Sequence, residues 1–431
     1  MPQNRHHVVI IGGGFGGLYA AKALKRAPVD VTLIDRRNFH LFQPLLYQVA
    51  TGGLSPGDIA TPLRFIFKRQ RNVKVVLGEV TSVDRTRKTV AMGNLLIDYD
   101  TLIVATGAEN HYFDHDEWER HAPGLKTIED ATKCRARILG AFEEAERESD
   151  PIRRNRFMTF VIVGGGPTGI ELAGALAEIA RDTMKNEFRG INPAESKILL
   201  VEASPRVLGE FPPSLSAHAV SSLARLGVEV LTGHRVVGID SSGVDLVAGT
   251  ESRRVETANV LWGAGVRATG MGRILTDDDP ARLGRGGKVI VSADLTLPGY
   301  PEIFVVGDLA SFTHQTGAPL PAIAPVAMSQ GKYVARLIKY RLGNRAASPY
   351  RYFNKGILAT IGRAAAVADF GWIRFSGFVA WVLWLFVHLM YLAGFENRLL
   401  VFIQWAWNYL TFNRGARLIT MDSKSERKGR S

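Results

Sequence analysis

Residues 8–24 read VVIIGGGFGGLYAAKAL, and this stretch decides the fold. An apolar run comes first, then Gly12, Gly14 and Gly17 at the G-x-G-x-x-G spacing, then an Ala/Leu-rich helical run. The next apolar run, VDVTLIDRR, ends on Asp35, 21 residues after Gly14. A glycine triplet alone is weak evidence. A strand before it, a helix after it and an acid at the end of the following strand make it a dinucleotide fingerprint. The glycines form the tight turn and let backbone approach a pyrophosphate, which rests on the helix N-terminus. Asp35 is placed to accept from both hydroxyls of an adenosine ribose.

The signature recurs in FVIVGGGPTGIELAGALAEIA (160–180), with Gly164, Gly166 and Gly169 on the same spacing. The strand after it, KILLVEA, ends on Glu202, 36 residues beyond Gly166, because RDTMKNEFRGINPAES intervenes. That connection is longer than the usual spacing of about 20. Two such units predict an α/β chain with two Rossmann-like dinucleotide-binding domains. Further apolar runs end in glycine at residues 101–108, 259–268 and 302–310, as strands do when their ends face a ligand. In the last of these Asp308 follows Gly307; a helix-capping Asp is the plain alternative there.

The totals narrow the field. A chain of 431 residues implies two or three domains, and 46% hydrophobic with 22% charged residues is a globular composition. A formal charge of +12 asks for an anionic partner, whether nucleic acid, anionic lipid or a phosphorylated ligand. No domain-wide interleaving of Lys/Arg with aromatics supports nucleic acid. Cys134 is the only cysteine, which excludes an intramolecular disulfide and any mechanism needing a Cys pair. The histidines lack metal-site spacing, so no metal is expected. The N-terminus enters a strand without the regions of a signal peptide, and the folded body is expected in the cytoplasm.

The GGGFGG run, the ATG at 105–107, GGGPTGIELAG and the late VVGD together resemble the two-dinucleotide-binding-domain flavoprotein superfamily. That resemblance implies FAD at the first site and a nicotinamide dinucleotide at the second. It assigns Gly12, Gly14, Phe15, Gly16, Gly17, Asp35, Arg36, Ala105, Thr106, Gly107 and Asp308 to FAD. It assigns Gly164, Gly166, Pro167, Thr168, Gly169, Glu171, Glu202 and Gly265 to the nicotinamide cofactor. A carboxylate at Glu202 favours NADH, since it bonds ribose hydroxyls and repels a 2′-phosphate; Arg206 nearby would soften that preference. Glu171 takes the catalytic role, positioning the nicotinamide or relaying a proton. A buried acid paired within its own domain is the alternative.

Disulfide reductases and sulfide:quinone oxidoreductases rely on cysteines, so Cys134 alone excludes both. Ferredoxin-type and quinone reductases remain, with a redox-sensing flavoprotein of little turnover as a third reading. HLFQPLLYQVATGGLSP (40–56) and PAIAPVAMSQGKYVA (321–335) resemble, respectively, the flavin-side stretch and the quinone-site helix of type II NADH:quinone oxidoreductases. That resemblance implies hydride transfer from NADH to FAD, then two electrons to a membrane quinone, without proton pumping. It names Pro44, Leu45, Tyr47, Ala327, Met328 and Gln330 as quinone contacts. Many members carry two Gln residues on that helix where Pro325 and Ser329 stand here, which leaves the polar contact to the quinone carbonyl open. The implied domains are 1–120 and 281–348 for FAD, 121–280 for NADH and 349–431 for membrane association.

Residues 375–395, FSGFVAWVLWLFVHLMYLAGF, contain no charged side chain and are long enough to span a bilayer. Trp381, Trp384, His388 and Tyr391 share one helical face, which suits the headgroup region. In 396–419, Asn397, Gln404, Asn408 and Thr411 make a polar stripe that disfavours a second span, and Arg374, Arg398, Arg414 and Arg417 flank both segments. The expectation is a peripheral attachment to an anionic lipid surface on the cytoplasmic face, by a homodimer. The basic end TMDSKSERKGRS is expected to be disordered.

Overall fold

A computed structural model describes residues 5–393, 395–411 and 414–420; the basic end from 421 lies outside them. The chain divides into two compact units. One comprises residues 1–41, 60–109 and 266–355, the other 42–59, 110–265 and 356–431. The C-terminal region thus folds within the second unit, and so does the stretch 42–59.

Each unit is built around one glycine turn. Strand His6–Ile11 feeds helix α1 (Phe15–Ala23), and strand Thr159–Val163 feeds helix α2 (Pro167–Glu178). Val8 to Ile10 and Phe160 to Ile162 are all fully buried. Parallel strands covered on both faces read as continuous apolar runs, which is why both segments lack alternation.

The first unit holds a six-stranded sheet in the order Thr296–Leu297, Tyr300–Val305, Thr101–Val104, His6–Ile11, Val29–Asp35, Val73–Leu77. All pairings but the first are parallel. Register sets Ile11 beside both Ile34 and Val104, and Val104 beside Val305, so the carboxyl ends of four strands align. Open α/β sheets bind ligands at that edge. Helix α3 (Ala324–Leu342) lies against α1 at Gly331, where a Cβ would come within 2.2 Å of the Gly16 carbonyl oxygen.

The second unit holds a parallel sheet in the order Val228–Thr232, Lys197–Glu202, Thr159–Val163, Asn259–Trp262. An antiparallel sheet of Ile357–Gly362, Ala365–Asp369 and Arg374–Ser376 leads into α4 (Gly377–Tyr391) and α5 (Phe395–Thr411). That sheet seats on α2 through Gly174, where a Cβ would lie 1.5 Å from the Ile361 carbonyl oxygen.

Among the described residues no helix is long and apolar enough to cross a membrane. Fifteen residues of α4 extend about 22 Å against a hydrocarbon core of about 30 Å. The orientation of α4 differs from the sequence expectation. Trp384 is 1% exposed and faces inward, while Phe378, Val379, Val382, Phe386 and Met390 face out. Helix α5 repeats the inversion: Asn408 donates to the Gly53 carbonyl and Trp405 to Gln48, while Leu399, Leu400, Phe402, Ile403, Trp407 and Leu410 are exposed. The amphipathic stripes turn toward the protein, and the wholly apolar faces remain outside.

Candidate functional site

The two glycine turns share one geometry. Gly12 donates to the Ile34 carbonyl and Gly164 to the Val201 carbonyl, both at 2.8 Å. Their φ values of +102° and +106° exclude ordinary L residues. A Cβ on Gly17 would sit 1.9 Å from the Gly12 oxygen, and one on Gly169 would sit 1.8 Å from the Gly164 oxygen. Behind each turn an acid braces the loop. Asp35 accepts from Gly13 N at 2.5 Å and Arg37 N at 2.7 Å; Glu202 accepts from Gly165 N at 2.6 Å and Ser204 N at 2.7 Å. Burial pushes the Asp35 carboxyl above its ordinary range, against the pull of the Gly13 and Arg37 amides. An ideal Cβ on Gly14 or Gly166 meets nothing within 4 Å, so open ground lies before each helix N-terminus. That combination fits a dinucleotide diphosphate.

The other residues expected at FAD all fall in the first unit. Phe15 is buried edge-on to His40, with centroids 5.0 Å apart, and Gly16 lies under Val306. Ala105 is buried, Thr106 shares a 2.6 Å hydrogen bond with Thr269, and Gly107 has φ +74°. Asp308 follows Gly307, whose N–H donates to Gln330 Oε1 at 2.6 Å. Arg36 is exposed, 4.0 Å from Glu79.

In the second unit Pro167 and Thr168 open α2, and Gly265 (φ +67°) accepts from His111 N. Arg206 donates to the Gly209 carbonyl at 2.8 Å. Of the residues expected at quinone, Pro44, Leu45 and Tyr47 lie in this unit. Ala327, Met328 and Gln330 lie in the other, buried on α3, and the Gln330 carboxamide oxygen is engaged with Gly307.

Glu171 lines a cavity of about 130 Å³. Glu171, Ala175 and Glu178 line it from α2, Tyr47 and Gln48 from the stretch 42–59, and Trp381, Trp384, Trp405 and Tyr409 from α4 and α5. Glu171 accepts weakly from Thr360 N at 3.5 Å, and burial pushes its carboxyl up to about 8. It therefore carries its proton at neutral pH and stands ready to give it up. Tyr47 is buried and its phenol lies well above its ordinary range through burial, with Glu171 adding to the shift. Its oxygen accepts from Gln48 Nε2 at 2.8 Å, and Gln48 Oε1 accepts from Trp405 Nε1 at 2.7 Å. An apolar, aromatic wall with few polar groups and one perturbed carboxyl is the usual form of a ligand site.

A second acid one face along α2, Glu178, closes the cavity. It accepts from Arg414 at 2.7 Å and from the Arg363 amide. Arg414 also bonds Thr51 Oγ1 at 2.9 Å, and Arg417 pairs with Glu187 at 2.6 Å. Two of the arginines expected to meet lipid therefore hold the chain after α5 onto its own unit. Sequence reasoning did not mark Trp405, Thr360 or Glu178, and it placed Trp384 toward the lipid headgroups. The available signal was Glu178 at i+7 from Glu171, on the same helical face.

The pyridine nucleotide-disulphide oxidoreductase family model matches residues 6–331, and the NDH2 C-terminal domain model matches 354–414. The chain is 46% identical over 427 residues to the type II NADH:quinone oxidoreductase Ndh of Mycobacterium tuberculosis, covering 97% of this chain and 91% of that one. It is 31% identical to the type II NADH:quinone oxidoreductase of Staphylococcus haemolyticus, covering 84% and 89%. In fold it is similar to NDH2 from Plasmodium falciparum in complex with NADH, with a TM-score of 0.87 at 20% identity over 97% of this chain and 100% of that one.

Proposed function

This chain belongs to the type II NADH:quinone oxidoreductases, a branch of the pyridine nucleotide-disulphide oxidoreductase family, and from that premise we propose which residues serve each partner. It is an enzyme that moves electrons from NADH through FAD to quinone without pumping protons. FAD, when bound, supplies the two-electron chemistry, and the protein supplies orientation and electrostatics. Gly12, Gly14 and Gly17 form the turn that would present the N–H groups of the α1 N-terminus to the diphosphate of FAD, Asp35 would meet its ribose, and Thr106, Gly107 and Asp308 would complete the strand-end edge. Gly164, Gly166 and Gly169 do the same for NADH, with Glu202 at the ribose.

The quinone ring enters the cavity between α2 and the C-terminal helices, where Glu171 gives a proton to the reduced ring. The observation that carries this reading is a buried carboxyl on an aromatic wall directly behind an outward apolar face. A lipid-soluble substrate needs such a face. The exposed faces of α4 and α5 rest on the bilayer surface, and the net charge of +12 draws the chain to anionic lipid on the cytoplasmic face. The enzyme works there as a homodimer.

Turnover of NADH with menadione tests the site: Glu171→Gln is expected to lower it at least about tenfold with flavin content intact, and unaltered turnover overturns the assignment. Sedimentation with phosphatidylglycerol vesicles tests the surface. Phe386→Glu with Trp407→Glu is expected to leave the protein in the supernatant.

A further inference from the structure

Two tryptophans on the cavity wall differ in one respect. Trp405 spends its indole N–H on Gln48 at 2.7 Å. Trp384, 1% exposed, has an indole N–H with no hydrogen-bond partner among the described residues. A buried donor left unmade costs about 1–3 kcal/mol, so such an atom needs an explanation. The Trp384 N–H leans toward Glu171 and favours its anion without meeting hydrogen-bond geometry. Its ring has little freedom to turn elsewhere: it stacks on His388 at 4.2 Å, lies 5.6 Å from Trp405 and meets Tyr47 edge-on at 6.4 Å. The cavity of about 130 Å³ is close to the ~150 Å³ that accepts one benzene ring, so it takes a single flat ring.

We propose that the Trp384 indole N–H and the Glu171 carboxyl converge on one carbonyl oxygen of the quinone ring, Trp384 donating a hydrogen bond and Glu171 the proton. The inference rests on the assignment of this cavity to quinone. Two electrons originating from NADH reduce the ring and its C=O becomes C–O–H. Glu171 supplies that proton, is left as a carboxylate and regains a proton from solvent. The second ring oxygen takes its proton from solvent, giving the quinol. Until Glu171 regains its proton the N–H steadies its carboxylate, so one donor serves both the ligand oxygen and the spent acid. Trp384 is then a specificity-determining contact: it selects a ring bearing an acceptor oxygen over a plain aromatic ring of the same size.

The test uses the full-length, flavin-loaded enzyme with menadione as the probe. Trp384→Phe keeps a stacking ring and removes the N–H. It is expected to raise the KM for menadione about tenfold and to move the alkaline limb of the pH profile upward, because Glu171 loses the donor that favours its anion. Replacing Trp384 with 3-benzothienylalanine, which has the same shape with sulfur in place of N–H, is expected to give the same two changes and guards against a repacked core. Ala175→Leu narrows the cavity from α2 without touching either group, and it too is expected to raise the KM. If Ala175→Leu raises the KM while both Trp384 variants keep the wild-type KM and pH profile, the shared-oxygen proposal is overturned and the cavity assignment stands. If all three variants match wild type, the cavity assignment itself falls.

Discussion

Superimposed by sequence on their glycines, α1 and α2 diverge just beyond the turn. Tyr19 stands where Glu171 does, Lys22 where Gly174 does, and Arg26 where Glu178 does. In the first unit Tyr19 carries the Lys22 and Lys332 ammonium groups over its ring, at 5.6 and 5.0 Å. In the second unit the same helical face receives the C-terminal sheet and turns two carboxyls into a cavity. The turn sets what kind of ligand binds at the strand ends. The outer face of the following helix sets what else the unit does, because nothing in the turn constrains it.

The largest effect should come from breaking each turn separately. Gly17→Ala drives a Cβ into the Gly12 carbonyl, and the protein is expected to purify without flavin absorbance. Gly169→Ala does the same to the second turn and is expected to keep its flavin while the KM for NADH rises at least about a hundredfold. Equal losses of flavin in both variants would break the division of labour between the units.

Next comes the ion pair that only α2 has. Arg414→Ala leaves Glu178 enclosed without its cation, and chemical denaturation is expected to show a loss of about 3 kcal/mol. Glu178→Leu with Arg414→Leu should lose less than either single change, since no orphaned charge remains.

Glu171 predicts a pH signature that Tyr19 cannot produce. Its carboxyl rises from an ordinary 4.5 to about 8 through burial, so the folded protein holds a proton that the unfolded chain releases. Stability on that account falls as pH climbs from about 5 to about 8 and levels off above, and quinone turnover falls above about 8. Thermal melts across this window should show Glu171→Gln gaining on wild type as pH rises; parallel curves would refute the shifted carboxyl. The smallest effect concerns the two bracing acids. Glu202→Gln keeps only one of the two bonds from Gly165 and Ser204, since a carboxamide has a single acceptor oxygen, and removes the charge; the preference for NADH over NADPH should drop about tenfold in kcat/KM.

Both turns, both bracing acids and the parallel strands were legible from residues 6–35 and 159–202. Each rests on contacts between residues close in the chain, where glycine spacing and apolar runs leave one solution. The cavity was only half legible. Glu171 and Tyr47 were marked by resemblance, but Trp384 was read as a headgroup-facing residue because helical periodicity gives a face without saying which way it looks. Arg414 and Arg417 were read as lipid contacts for the same reason; their partners, Glu178 and Glu187, lie more than 200 residues away.

The sequence by itself determined that this protein folds as two dinucleotide-binding units, lacks the cysteines of its disulfide-using relatives and ends in apolar helices. Glycine stereochemistry, strand burial and thiol chemistry are properties of short segments and survive any arrangement around them. Only the tertiary structure decided the inside-out setting of α4 and α5, the enclosure of Glu171 and the clasp of Arg414 on Glu178. Those follow from which polar atoms find partners when distant segments meet. At α5 Trp405 and Asn408 found theirs inside, which left the apolar face to the outside.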